Sequence, residues 1–271
     1  MKALSSLARP YRIWMVLTII FPMILIAVMA FTDLNLFRLG SFSLNLEGLR
    51  VLRSDIFLNA MGNSLKFAFI ASLLCFIIGY PVAYVLANST SRYRSLYVTL
   101  LILPVWSNML LRIIAWEKMF FPSSILNVFG ISLDLIGTDT AILIGMVSMY
   151  LPFMIFPIYA VLDKMDNTLI EAATDLGASN VKAFLTVTLP LSLGGIVSGV
   201  IMTLLPAMTA FALPARLSGG RTLLVGNIIE DYFMRTGNFN AGSMISLVLM
   251  AFMVVLYLWV LRFDKEGETL I

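Results

Sequence analysis

The residues able to do chemistry are sparse, and one segment gathers several of them. Residues 163–190 read DKMDNTLIEAATDLGASNVKAFLTVTLP. They carry the acids Asp163, Asp166, Glu171 and Asp175. Thr168 followed three residues later by Glu171 is a capping-box spacing, so a helix is predicted to start with Thr168 as its cap. Leu169, Ile170, Ala172, Ala173 and Leu176 then share a compact apolar face. Gly177 stands where a helix end calls for a left-handed residue. Ser179 or Asn180 can cap a second helix, whose apolar face is Val181, Phe184 and Leu185. Such an element should dock. Its apolar faces need cover, the small pair Ala172 and Ala173 lets another surface approach closely, and the acids suit a basic groove.

Other chemistry is missing. The chain has no His, so the common metal ligand and the neutral-pH proton carrier are both absent. Its single Cys, Cys75, cannot form an intrachain disulfide and lies in an apolar run, where it reads as a small space-filler. There is no GxxxxGK[ST] phosphate loop. No Ser/His pair, metal cluster or paired intramembrane carboxylates argue for an enzyme.

The elements that must position the segment follow from composition. Of 271 residues, 60% are apolar, and only 18 basic and 15 acidic residues are present. Soluble proteins are nearer 45–50% apolar and carry about twice that share of charge. The net charge of +3 is too small to imply an anionic partner, and a nucleic-acid binder or ordinary cytosolic enzyme is excluded. The reading is a multi-pass α-helical protein surrounded by membrane lipid. A span needs about 20 mostly apolar residues. Ile13–Phe31, Phe67–Ala87, Leu96–Leu111, Ala141–Leu162, Leu191–Leu213 and Ala241–Leu261 are uncharged stretches of about that kind. The fold expected is therefore all-α with six transmembrane helices in one domain over 1–271. The first stretch is longer than a signal-peptide core and is read as an uncleaved helix.

Charge leaves orientation open, since nine Lys and Arg fall on each side. Lys2, Arg9 and Arg12 before the first helix, and Arg92 and Arg94 in the connection 88–95, favour an inside N-terminus. Both termini and the loop 163–190 would then be cytoplasmic. Thr32–Lys66, Arg112–Thr140 and Pro214–Asn240 would be outer connections.

Glu171-Ala172-Ala173, three residues, Gly177, nine residues, then Val187, Thr188 and Leu189-Pro190 resembles the EAA loop of ABC-importer permease subunits, EAA-x3-G-x9-I-x-L-P. Only Val187 departs, as Val for Ile. The stretches 79–87, 101–116, 150–179 and 204–233 are also similar to polyamine permease subunits of the PotB type. The resemblance implies a type I importer permease fold in a bacterial plasma membrane. It implies a second, homologous permease subunit, two copies of an ATPase that carries the ATP and Mg, and an extracellular polyamine-binding protein. It assigns ATPase coupling to Thr168, Glu171, Ala172, Ala173, Asp175, Gly177, Val187, Leu189 and Pro190. No cofactor is expected on this chain.

A polyamine wants carboxylates at its ammonium ends and aromatic faces along its length. No carboxylate lies within the six stretches; Glu117, Glu230 and Asp231 are the nearest. Trp106 and Asn108 interrupt an apolar run with hydrogen-bonding groups, Tyr150 flanks a proline kink, and Phe211 lies between Pro206 and Pro214 as a candidate gate. These four are the expected substrate path. Gly195 and Gly199 form a GxxxG that reads as close helix packing, and Lys66 reads as a snorkelling anchor. The alternatives are a permease for another small solute, an ion-coupled secondary transporter, which would need intramembrane ionisable groups, and a scaffold without transport.

Overall fold

The computed structural model describes residues 11, 14–33, 43–122, 133–166 and 168–261. Lys2, Arg9 and Arg12, the start of the first predicted span and the C-terminal tail lie outside them. The described residues are helical apart from connecting segments and one antiparallel bridge between Thr32 and Leu44.

Three helices are each long and apolar enough to cross a membrane: α2 (Asp55–Ala87), α5 (Asp139–Asp163) and α11 (Phe239–Leu261). Two further candidates are bent pairs. α3 (Arg94–Trp106) and α4 (Met109–Phe120) meet at 91°, and α7 (Asn180–Leu191) and α8 (Leu193–Met208) meet at 61°. α1 (Val16–Phe31) is apolar but shorter. The expectation of six separate spanning helices is therefore corrected. Among the described residues there are three, or up to five if each bent pair counts as one.

The causes of the breaks are local. Pro104 cannot donate to the helix, and its carbonyl at the end of α3 is taken by the Ser107 amide at 3.3 Å, the Ser107 hydroxyl at 2.6 Å and the Arg112 guanidinium at 2.5 Å. Asn108 then adopts extended backbone, and its Oδ1 accepts from the amides of Leu110 and Leu111. A side-chain cap starts a new helix in a new direction. Counting apolar residues over 96–111 could not detect this. α4 occupies part of the segment read as an outer connection, and it buries Ile113 and Phe120. Likewise α8 stops at Met208, two residues past Pro206, and Ala212–Leu217 forms a separate short helix, α9. A last short helix, α10, covers Val225–Asp231.

α2 is 33 residues long, about 50 Å at 1.5 Å per residue, and begins a dozen residues before the predicted span. Ser54 caps it by accepting from Phe57 N–H. Lys66 is not a lone anchor: its Nζ is 3.0 Å from the Asp139 carboxylate at the start of α5. α2, α5 and α8 pack together around Phe67, Cys75, Met146, Met154, Ile158 and Met208. α11 packs on α1, pinned by the buried Asn240.

Candidate functional site

The segment 163–190 forms a helix–turn–helix of α6 (Thr168–Asp175) and the start of α7. Asp166, rather than Thr168, provides the acceptor identified at the entry. Its carboxylate takes the Thr168 amide at 3.0 Å, so Thr168 is already inside the helix. An Asp two residues ahead reaches that amide in a tight side-chain turn. This bond holds the Asp166 carboxyl below its ordinary value of 3.8. Asp163 is likewise engaged, in an ion pair with Arg94, whose guanidinium also lies 5.4 Å from the Tyr159 ring. That pair joins the connection 88–95 to the end of α5, so both loops lie at one end of the bundle.

α6 ends as Gly177 allows. Gly177 has φ +84°, its amide donates to Thr174 O at 2.9 Å, and the Ala178 amide donates to Ala173 O at 3.0 Å. This is the paired bonding of a Schellman stop, and φ there is unfavourable for any residue with a Cβ. Ser179 caps the second helix by accepting from Lys182 N–H at 3.3 Å. Pro190 does not open a new helix. It continues α7 because the turn before it widens over Phe184–Thr188, where the Leu189 amide reaches back five residues to Phe184 O. The wider turn takes up a proline that cannot donate. Val187 and Leu189 are half-buried in this stretch.

The pair of helices presents an uncovered apolar surface. Leu176 is 90% exposed, Val181 69%, Leu185 54% and Leu169 48%. No residue of α6 is buried, and Glu171, Ala172 and Asp175 face outward with it. These four large apolar side chains fall within about 17 residues and form one exposed apolar stretch.

The four expected path residues are not gathered into one site. Tyr150 is buried and its hydroxyl donates to Pro206 O at 3.3 Å, which places it between α5 and α8. Trp106 is exposed at the end of α3, and Asn108 serves as the cap of α4. Phe211 lines a cavity of about 590 Å³ with Met109, Leu110, Ile113 and Ile114 of α4, Ala212, Ala215 and Arg216 of α9, and Glu230 of α10. Sequence reading named Phe211 and Glu230 separately, and the α8–α9 break brings them together. That break is held by α10: Asn227 Nδ2 donates to Phe211 O at 2.8 Å, and a Cβ on Gly226 would stand 2.6 Å from Thr209 O. Arg216 is paired with Glu117 at 3.2 Å, and Asp231 lies 3.8 Å from Arg235. Among the described residues Glu230 has no ion-pair partner. The cavity thus offers apolar walls, one aromatic ring, the Arg216 guanidinium paired with Glu117, and, among the described residues, one carboxylate without an ion-pair partner.

Comparison with known proteins agrees with this architecture. Residues 2–266 match the family model described as the binding-protein-dependent transport system inner membrane component. The chain is 35% identical over 254 residues to the spermidine/putrescine transport system permease protein PotB of Haemophilus influenzae, covering 90% of this chain and 89% of that protein. It is 33% identical over 255 residues to PotB of Escherichia coli K12, covering 91% and 93%. It also shares its fold with a chain of a bacterial ABC transporter involved in import of the acidic polysaccharide alginate, with TM-score 0.79, 17% identity and coverage of 98% and 96%. Subunits of this kind span the membrane and are not themselves catalytic. The chain belongs to the family of binding-protein-dependent inner membrane components, as a PotB-like permease subunit of an ABC importer.

Proposed function

We propose that this permease subunit moves polyamines, and that the segment 163–190 faces the cytoplasm and docks on an ATPase subunit. The observation that carries the docking is the Gly177-closed helix pair with Leu169, Leu176, Val181 and Leu185 exposed. The importer would hold this chain, a second homologous permease subunit, two ATPase copies and an extracellular polyamine-binding protein. Thr168, Glu171, Ala172, Ala173, Asp175 and Gly177 form the docked helix and its stop. Val187, Leu189 and Pro190 connect it to α8. ATP and Mg belong to the ATPase; this chain holds no cofactor.

The polyamine reading is supported by the PotB relatives and by the cavity at Phe211 and Glu230. Methylenes suit its apolar walls, and an ammonium suits an unpaired carboxylate. Trp106 and Asn108 lie at the α3–α4 break that leads into α4, and Tyr150 lies apart from the cavity lining, between α5 and α8. The site is lightly built, and this subunit alone should not bind polyamine with micromolar affinity.

The test is uptake of labelled spermidine and putrescine in cells lacking this gene, with and without its restoration. Rescue supports the reading. Unchanged uptake, with no other polyamine importer present, moves the substrate to another small solute. Uptake should persist with ion gradients collapsed and ATP intact; loss under those conditions would favour ion-coupled transport. Gly177→Pro should insert normally yet uncouple ATP hydrolysis from uptake, because proline cannot adopt φ +84° and removes the bond to Thr174 O. Gly177→Asn, which tolerates that conformation, should retain most uptake. Glu171→Lys should reduce co-purification of the ATPase.

A further inference from the structure

The docking helices must be tied to the membrane helices if their movement is to matter, and one aromatic contact stands out. Phe184 is the sole aromatic residue of 163–190. Its half-buried ring meets two tyrosines of α2 edge to face: Tyr84 at 5.5 Å and 90°, and Tyr80 at 5.8 Å and 85°. Tyr80 and Tyr84 are four residues apart and so share one face of α2. Tyr80 is also braced from within its own helix by Phe76 at 5.7 Å. Its buried hydroxyl is 2.9 Å from Ser192 Oγ. Ser192 is the residue at which α7 turns by 61° into α8, and its own Oγ also reaches Leu189 O at 2.9 Å.

α7 and the bend that follows it are therefore fastened to one face of α2 at two points. The first is Phe184, where the widened turn begins. The second is the bend at Ser192. Edge-to-face rings resist sliding because the geometry is specific, and a buried hydroxyl pair has no water to exchange with. An aliphatic side chain at 184 would fill the space without that directionality.

We infer that Phe184, Tyr80 and Tyr84 are positioning residues for coupled transport, forming a rigid junction that moves α2 together with the docking loop. This rests on the reading that the loop docks on an ATPase. The apolar contacts of Met165 and Leu189 with the core hold the loop in place; the aromatic junction sets its direction.

The test uses the assembled importer in proteoliposomes, with Gly177→Pro as a reference for the loop itself. Nitroxides at Thr90 and Lys182, in a Cys75→Ser background, report the distance between the end of α2 and the loop. In the otherwise unaltered protein this distance should stay constant when ATP is added. In Phe184→Leu it should change with ATP. That variant should keep ATPase co-purification and hydrolysis but move at least tenfold less labelled spermidine per ATP. Tyr84→Leu should behave alike, Tyr84→Phe should be near normal, and Phe184→Tyr should restore coupling. Should Phe184→Leu fail to accumulate, the Tyr84 pair carries the test. An ATP-dependent Thr90–Lys182 distance without any substitution would overturn the junction. So would a Phe184→Leu protein whose distance remains fixed, or one that loses the ATPase altogether. If Gly177→Pro also leaves coupling intact, the docking reading itself fails; if Gly177→Pro uncouples and the aromatic variants do not, only the junction fails.

Discussion

Gly195 of α8 lies directly on Pro157 of α5: a Cβ built on Gly195 would stand 2.8 Å from the Pro157 carbonyl oxygen and 3.0 Å from Ile158 Cα. One turn on, a Cβ on Gly199 would be 2.8 Å from Met154 Sδ and 3.0 Å from Met154 O. Both obstacles include backbone, which cannot rotate away. Gly195→Val should therefore separate α5 from α8, with a cost of about 1–3 kcal/mol from overpacking. Thermal unfolding of the purified protein in detergent checks this. Gly62→Ala is the control, because nothing lies within 4 Å of a Cβ there.

Asn240 is the second structural pin. Its Nδ2 lies 3.0–3.2 Å from the carbonyl oxygens of Met29, Ala30, Thr32 and Asn45, which share its two hydrogens, and its Oδ1 accepts from Gly48 N–H at 2.8 Å. Three of these carbonyls lie at or just beyond the C-terminal turn of α1, where a helix cannot satisfy them itself. Asn240→Leu should strand several buried backbone groups and cost about 2–3 kcal/mol or more. The same measurement should show Gly48→Ala destabilised, because its Cβ would stand 2.8 Å from Asn240 Oδ1. Stability unchanged in both variants would show that the pin is not used.

Hydropathy located the apolar stretches well, because burial and lipid exposure both need apolar side chains. It misjudged their continuity. The 91° bend depends on Ser107 and Asn108 capping opposite helix ends, and such caps barely alter a hydropathy average. The extra length of α2 was hidden because residues 55–66 include Asp55, Asn59, Asn63 and Lys66. Gly177 was legible because a left-handed stop demands glycine, so residue type and geometry are tightly linked. The entry of α6 is less legible: Thr168 fits a cap by type, but it lies inside the helix, and the carboxylate of Asp166, two residues ahead, takes its amide. The cavity at Phe211 joins residues from α4, α9 and α10 that are far apart in sequence, and no local spacing could assemble it.

Asp166 gives α6 a defined pH response. Its folded-state pKa is depressed by the bond from the Thr168 amide. The contribution is therefore fully present above the unfolded carboxylate value and is lost as pH falls through the lowered folded value. At neutral pH it should be constant. Hydrogen exchange of amides in 168–175 should be protected from pH 6 to 8 and lose protection, after correction for intrinsic rate, only in the acid range below about 4. Asp166→Ala should raise exchange several-fold at pH 7 and abolish the acid-range change. Asp166→Asn should keep part of the protection, since its amide oxygen can still accept.

If the proposed path runs through the Phe211 cavity, Glu230 is the residue whose substitution distinguishes a cationic cargo from a neutral one. Glu230 lines the cavity with Phe211 and with Arg216, whose guanidinium is paired with Glu117, while Asp231 lies 3.8 Å from Arg235. A charged hydrogen bond from an ammonium group is worth about 1.5–3 kcal/mol, and the exposure of Glu230 argues for the lower end. Glu230→Gln is isosteric and removes only the charge. It should raise the half-saturating spermidine concentration for uptake about tenfold at low salt, with less change in the maximal rate. Phe211→Leu should act on the rate instead, because a ring at the α8–α9 break would border the proposed path without attracting charge. Raised ionic strength should weaken uptake by the unaltered protein and shrink its difference from Glu230→Gln. An unchanged concentration dependence in Glu230→Gln would take the ammonium path away from this cavity.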